Sequence, residues 1–246
     1  MTGDIERRIA HRQWPLPRSP WIMFQSWQRL LFAHWPVPIE MLRPLVPASL
    51  AIEEFDGTAW VSITPFRLTG LRARFLPPLP FISEFPEMNF RTYVRAGRKP
   101  GIFFFSLDAG SRLAVIGARA TYRLPYYHAD MDIGSDGEWV RYSSRRRSGT
   151  NAEFIGRYRA AGAAFQPRPD TIEHFLTERY ALYTVLPGGF LARGEIHHGP
   201  WDLQPAEARI EVNTVPQAHG ITLPDRPPLL QYSARQDTLI WAPSVV

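Results

Sequence analysis

Polar and apolar side chains alternate strictly from Glu87 to Val94. Glu87, Asn89, Arg91 and Tyr93 fall on one face of an extended chain, and Met88, Phe90 and Val94 on the other. The next apolar run, Ile102 to Leu107, is hydrophobic on both faces, which predicts a strand covered on both sides. A third segment alternates again, with Ala114, Ile116, Ala118, Ala120 and Tyr122 opposite Arg119, Thr121 and Arg123. Phe85 to Tyr126 therefore reads as three antiparallel strands joined by hairpin turns at RAGRKP and AGSR. One face of this ribbon would pack on a core. The other would turn Glu87, Asn89, Arg91, Tyr93 and Arg119 into an enclosed space. A mostly apolar pocket with a few convergent polar groups is the default form of a small-molecule site. The alternative is a solvated outer face with a Glu–Arg cross-strand pair.

The same patterns organise the rest of the chain. Residues 1–20 read as an extended lead-in, broken by prolines at 15, 17 and 20, before one domain over residues 21–246. Met23 to Phe32 reads as a strand with His34 and Trp35 at its end, and Pro38 to Leu45 as a short helix stopped by Pro44 and Pro47. Asp56-Gly57 predicts a hairpin turn. Residues 67–84, rich in Pro and Arg, predict an irregular loop able to cover a pocket mouth. Further strands are expected on either side of Ser135-Asp136-Gly137, at Tyr180 to Leu186, after a Gly188-Gly189 turn, and over 208–215 and 229–241. A helix opens at Asp170, read as its N-cap, with Glu173 completing a capping box and Ile172, Phe175 and Leu176 as the buried stripe. Many short strands with two short helices predict an α+β domain built on a curled antiparallel sheet.

Composition narrows the function classes. Hydrophobic residues make up 45% of the 246, enough for a sizeable core, and no apolar run reaches the roughly 18 residues of a membrane span. The charged N-terminus lacks a signal-peptide core, and with no cysteine there is neither a disulfide framework nor thiolate chemistry. A cytoplasmic, bacterial setting is the expectation. Of the 28 basic residues, Lys99 is the one lysine, and the net charge is +5. The arginines are scattered. The run Arg145-Arg146-Arg147 reads as a solvated loop, with phosphate contact the minority reading, so a nucleic-acid role is the weakest of the alternatives.

The strings SWQRLLFAHWPVP, DGTAWVSITPF, EMNFRTYV, FFFSLDA, ARATYRLPYYHADM and HHGPW resemble the YqjF-like family of uncharacterised bacterial proteins, in order, from Trp21 to Trp201. That family is similar to the acetoacetate decarboxylase superfamily. The resemblance implies a cone-like antiparallel β-barrel with flanking helices and an internal ligand cavity. The superfamily's founding enzymes form a Schiff base through a buried lysine, helped by a glutamate and an arginine. A lysine nucleophile needs a depressed pKa. Lys99 is expected at an exposed hairpin tip, and Ala118 to Tyr126, the matching strand, has no lysine. Imine chemistry is therefore not expected.

The candidate residues each have a structural alternative. Glu87 suits a general acid or base in a dry pocket, or a salt bridge to Arg91 or Arg119. Arg91 and Arg119 suit a bidentate carboxylate clamp, or pairing with Glu87 or Asp108. Asn89 and Tyr93 would orient a ligand carbonyl or satisfy strand edges. His34 would exchange protons or pack among aromatics. His197 and His198 point to opposite faces, so one of them, taken as His198, reaches the cavity and the two do not make a metal pair. No metal or cofactor motif accompanies them. Two readings remain: lysine-independent, lyase-like acid–base chemistry on a small organic acid or carbonyl compound, or a non-catalytic module that binds or senses such a ligand.

Overall fold

The structure, a computed structural model, describes residues 2–80 and 82–246. Met1 of the expected lead-in and Phe81 of the expected loop lie outside the described residues. The first half runs α1 (Thr2–Arg7), β1 (Met23–Val37), α2 (Ile39–Leu42), β2 (Ala51–Ile52), β3 (Glu54–Phe55), β4 (Thr58–Ala73), β5 (Phe85–Ala96), β6 (Lys99–Ala109) and α3 (Arg112–Tyr122). The second runs β7 (Tyr126–Asp136), β8 (Trp139–Arg146), β9 (Glu153–Ala160), α4 (Ile172–Thr177), β10 (Ala181–Val185), β11 (Leu191–His198), β12 (Gln204–Asn213), β13 (Leu229–Ile240) and β14 (Ser244–Val245).

The strands close on themselves twice. A first ring runs β1-β4-β5-β6-β10-β11-β13 and back to β1. A second leaves β6 through β7, β8, β9 and β12 and rejoins at β13. The rings share β13, β1, β4, β5 and β6. Closure leaves few free edges. The pairing is antiparallel except for β10 and β7, which run parallel to β6 on its two sides. The expected curled sheet is thus mixed rather than purely antiparallel.

The parallel β6–β7 pair follows from the main correction to the sequence reading. Ala114 to Arg123 is not a third strand but lies almost wholly in helix α3. Ser111 caps it, its hydroxyl accepting from Ala114 N at 3.3 Å. Ala114, Val115, Ala118 and Tyr122 also satisfy a 3.6-residue period, and Val115 and Tyr122 are its buried positions. A helix here makes β6-α3-β7 a crossover, which parallel pairing requires.

Smaller differences have local causes. The prolines at 15, 17 and 20 follow α1 and do not disturb it. β1 continues past Phe32 to Val37, so His34 sits within a strand. β4 extends through Ala73, so the irregular segment begins later than residue 67. The N-cap of α4 is Thr171, whose hydroxyl accepts from His174 N at 3.4 Å, while Asp170 takes positive φ before it. The Asp56-Gly57 turn forms as expected, with φ of 49° and 72°, the positive values that a tight hairpin favours.

The shared strands separate two interiors. Val61, Ile63, Met88, Phe90 and Phe105 pack with Tyr142, Phe154 and Tyr158 of the second ring in a filled core. Thr64, Glu87, Asn89, Arg91 and Phe104, each next to one of these in sequence, point the other way, into the first ring.

Candidate active site in the barrel lumen

Every strand of the first ring contributes a side chain to an internal cavity of about 110 Å³. Two bulges decide which ones. Arg29, at φ 52°, re-phases β1, so Met23, Gln25 and Trp27 face the lumen before it and Leu30 and Phe32 after it. A register shift between Phe90 and Arg91 in the β5–β6 pairing does the same for β6, which offers Ile102, Phe104 and then Leu107. β5 keeps strict alternation and aims Glu87, Asn89 and Arg91 inward. Tyr126, Trp201, Arg179 and His198 complete the polar and aromatic wall, and Ala118 and Tyr122 of α3 lie against it.

Glu87 is buried and makes no ion pair among the described residues. Tyr126 Oη lies 3.3 Å from each carboxyl oxygen, and Tyr142 Oη donates to the Glu87 carbonyl at 2.8 Å. Burial raises its pKa from 4.5 to about 8, against the smaller opposing pull of the Tyr126 and Asn89 hydrogen bonds. At neutral pH it is therefore mostly a carboxylic acid. Neither alternative partner is available: Arg119 is elsewhere, and Arg91 makes no salt bridge.

Arg91 packs its guanidinium 5.4 Å from the Phe32 ring centre and has no carboxylate partner among the described residues. Burial lowers its pKa, yet a guanidinium retains its proton in proteins. Arg179, the other lumen arginine, is neutralised by Glu53 and donates Nε to Phe175 O at 2.6 Å. With Glu87 protonated, the lumen thus holds one uncompensated positive charge, at Arg91. Five buried polar atoms on lumen residues also lack a protein partner: Trp27 Nε1, Thr64 Oγ1, Asn89 Oδ1, Arg91 Nε and His198 Nε2. Buried polar atoms are normally hydrogen-bonded, and these five face the lumen with that capacity open. His198 Nδ1 lies 2.7 Å from Gly199 O and 2.9 Å from Gln236 Nε2, and its Nε2 is left without a protein partner on the lumen side. Burial lowers its pKa to about 3, so the ring is neutral.

The other sequence candidates sit outside this group. Tyr93 and His34 are fully buried and hydrogen-bonded to each other, with Tyr93 Oη 3.0 Å from His34 Nδ1. His34 stacks on Phe32, at 5.7 Å between ring centres, with Gln231 Oε1 3.3 Å from Nε2. Burial lowers its pKa to about 3. The pair backs the lumen wall and does not line it. Arg119 stands on the exposed side of α3, with its guanidinium 5.5 Å from the Tyr127 ring centre. The strand that would have turned it inward does not exist. His197 faces away from the lumen, where it stacks on His11 and contacts Ile5 O at 2.8 Å.

Two basic groups depart from expectation. Lys99 is no free hairpin tip: its ammonium donates to Glu195 at 2.7 Å and lies 5.3 Å from the Trp14 ring, away from the lumen wall. The Arg145–Arg147 run is largely the end of β8, not a solvated loop. Alternation sends Arg146 inward to Asp108 at 2.9 Å and Ser106 at 2.9 Å, while Arg145 pairs with Glu153 and Arg147 with Asp130. Sequence reasoning missed Trp27, Thr64, Tyr126, Arg179 and its partner Glu53. Only the aromatic density around Trp27 and Tyr126 hinted at them.

A family of uncharacterized conserved proteins, DUF2071, matches residues 24–237. The chain belongs to this family. It is 50% identical over 237 residues to the uncharacterized protein YqjF of Bacillus subtilis strain 168, covering 96% of this chain and 98% of that protein. Among solved structures it is similar to the acetoacetate decarboxylase of Legionella pneumophila, with TM-score 0.63 and 13% identity over 98% of this chain and 94% of that one. It is also similar to MppR, an enduracididine biosynthesis enzyme complexed with pyruvate, with TM-score 0.64 and 10% identity over 95% and 93%. At such identities the likeness is one of fold, and this DUF2071 chain has an acetoacetate-decarboxylase-like fold. Among its described residues no helix is long and apolar enough to cross a membrane.

Proposed function

We propose that the lumen binds a small organic acid or carbonyl compound, with Arg91 holding the anionic group and Glu87 serving as a proton donor. The observation that carries this reading is the unpaired Arg91 guanidinium in a cavity whose one lining carboxyl is held protonated. A buried charge without a partner is costly, and an anionic guest removes that cost. Asn89 Oδ1, Trp27 Nε1 and Tyr126 supply orientation. Two similar folds carry names that mention pyruvate and acetoacetate, both small oxo acids, which supports the same ligand class.

The lumen has no lysine, so any chemistry here is lysine-independent. Its titratable groups suit an acid rather than a base. Glu87 carries a proton near neutral pH, and the His198 imidazole, with its pKa near 3, is a weak acceptor. A lyase-like step fits that inventory: as a carbon–carbon bond of the acid breaks and its electron pair moves onto the adjacent carbonyl, Glu87 gives its proton to the enolate oxygen and regains one from solvent. The second reading, a binding or sensing module, is favoured by the lack of any activated nucleophile among the lumen residues.

Thermal-shift titration with oxo acids and simple carboxylates tests the site, because a ligand that binds only the folded state raises Tm. Wild type is expected to respond and Arg91→Gln to lose the response. A flat response across the panel refutes the anion site. With a responding ligand in hand, Glu87→Gln separates the two readings: binding kept with turnover lost marks an enzyme, and no turnover in wild type marks a binding module.

A further inference from the structure

At about 110 Å³ the lumen is smaller than the roughly 300–1,000 Å³ of ordinary ligand pockets. A second hollow of about 300 Å³ lies outside the ring, walled by Ile22, Leu71, Leu76, Leu79 and Ile82. Met23 and Tyr122 line both hollows and form the partition between them. The two partition residues differ in freedom. Tyr122 is pinned, its hydroxyl donating to Trp241 O at 3.1 Å. Met23 is only half-buried and carries three rotatable bonds, the side chain best suited to swing aside. On the outer rim, Leu76 is 57% and Leu79 53% exposed, apolar surface that a ligand would cover.

Resting on the anion reading of the lumen, we propose that the ligand is amphipathic: a straight-chain carboxylate, bearing an oxo group or not, whose head meets Arg91 and whose aliphatic tail passes Met23 into the outer groove. The charge placement supports this orientation. The unpaired guanidinium lines the lumen and not the groove. The groove is lined mostly by aliphatic side chains, with Arg72, Ser83 and Thr121 as its polar members, so head and tail each find their own chemistry. The substrate class then extends from small acids to medium-chain acyl acids, and the groove measures chain length.

The test is isothermal titration with butanoate, hexanoate, octanoate and decanoate, each below its aggregation concentration. Affinity is expected to rise about fourfold for each added methylene through decanoate, as burial of a CH₂ group predicts. Met23→Trp, which thickens the partition, should cap the series so that octanoate and decanoate bind no better than hexanoate. Leu79→Asp, on the exposed rim, should weaken decanoate by about tenfold, the loss expected for removing part of its apolar contact, and leave butanoate as in wild type. Affinity that levels off or falls beyond hexanoate in wild type overturns the groove while leaving the small-acid site standing. Gains with chain length that survive both substitutions also overturn it, because the tail then lies elsewhere. If butanoate and the oxo acids fail alike, the anion site is lost and the groove proposal with it.

Discussion

Glu87 is the residue at which burial and chemistry meet. Its pKa in the folded chain, about 8, lies above the 4.5 of the free group. The folded state therefore binds more protons than the unfolded one between those values, and stability falls as pH rises through that window. Glu87→Gln removes the titration. Its stability relative to wild type should grow from about pH 5 and level off above about pH 8, reaching a few kcal/mol, read as a rising Tm difference. A difference that is constant across this range would mean the carboxyl is ionised in the fold. The same protonation governs binding. Ionised Glu87 adds a negative charge to the lumen, so carboxylate affinity should be level below about pH 7 and decline through about pH 8, with the decline abolished in Glu87→Gln. Calorimetric titration at several pH values reads this directly. No alternation argument could have supplied the environment. The strand pattern put Glu87 on one face with Arg91 and suggested a salt bridge, whereas the protonated state depends on what surrounds both groups.

At the scale of elements, the sequence was legible where alternation was unbroken and misleading where it was not. β5 was read correctly because nothing interrupts its period of two. Its neighbour β6 looked apolar on both faces, and the reason is now plain: Ile102 and Phe104 face a lumen, Phe103 and Phe105 a filled core, and the bulge then brings Leu107 round. Arg29 disturbs β1 in the same way. Bulges carry no sequence signature as firm as a Gly-containing turn, so the lumen set of β1 and β6 could not be enumerated beforehand. The strand expected at Ala114 to Arg123 failed for another reason: Ala-rich segments fit periods of 2 and 3.6 alike, and the Ser111 cap decided for helix. Where β10 meets β6, backbone proximity does the positioning. A Cβ on Gly101 would stand 2.6 Å from Ala181 O. Gly101→Ala should therefore push β10 off β6 and cost about 1–3 kcal/mol, the usual penalty for overpacking, measured by urea denaturation. An unchanged midpoint would show that the contact has slack.

The molecule as a whole is two rings that share five strands, one filled and one hollow, and the shared wall turns one face to a packed core and the other to the lumen. Phe90 and Phe104 make the contrast measurable. Phe90 is 1% exposed and packs against Phe105, at 5.1 Å between ring centres, inside the filled ring. Truncating it leaves a cavity among residues that the barrel holds in place, so Phe90→Ala should cost about 3–5 kcal/mol while leaving carboxylate affinity unchanged. Phe104 borders a hollow that already exists, so its removal forfeits fewer contacts. Phe104→Ala should cost less stability than Phe90→Ala and should shift ligand preference toward bulkier acids by enlarging the lumen. Because strand β6 carries Phe104, and β5 carries both Phe90 and Arg91, a fold in which the two rings melt separately is not available. Chemical denaturation followed by near-ultraviolet and far-ultraviolet signals should give coincident midpoints in both variants. Separated midpoints would mean that the second ring is an independent unit, and equal stability losses would mean that the hollow is not a hollow in solution.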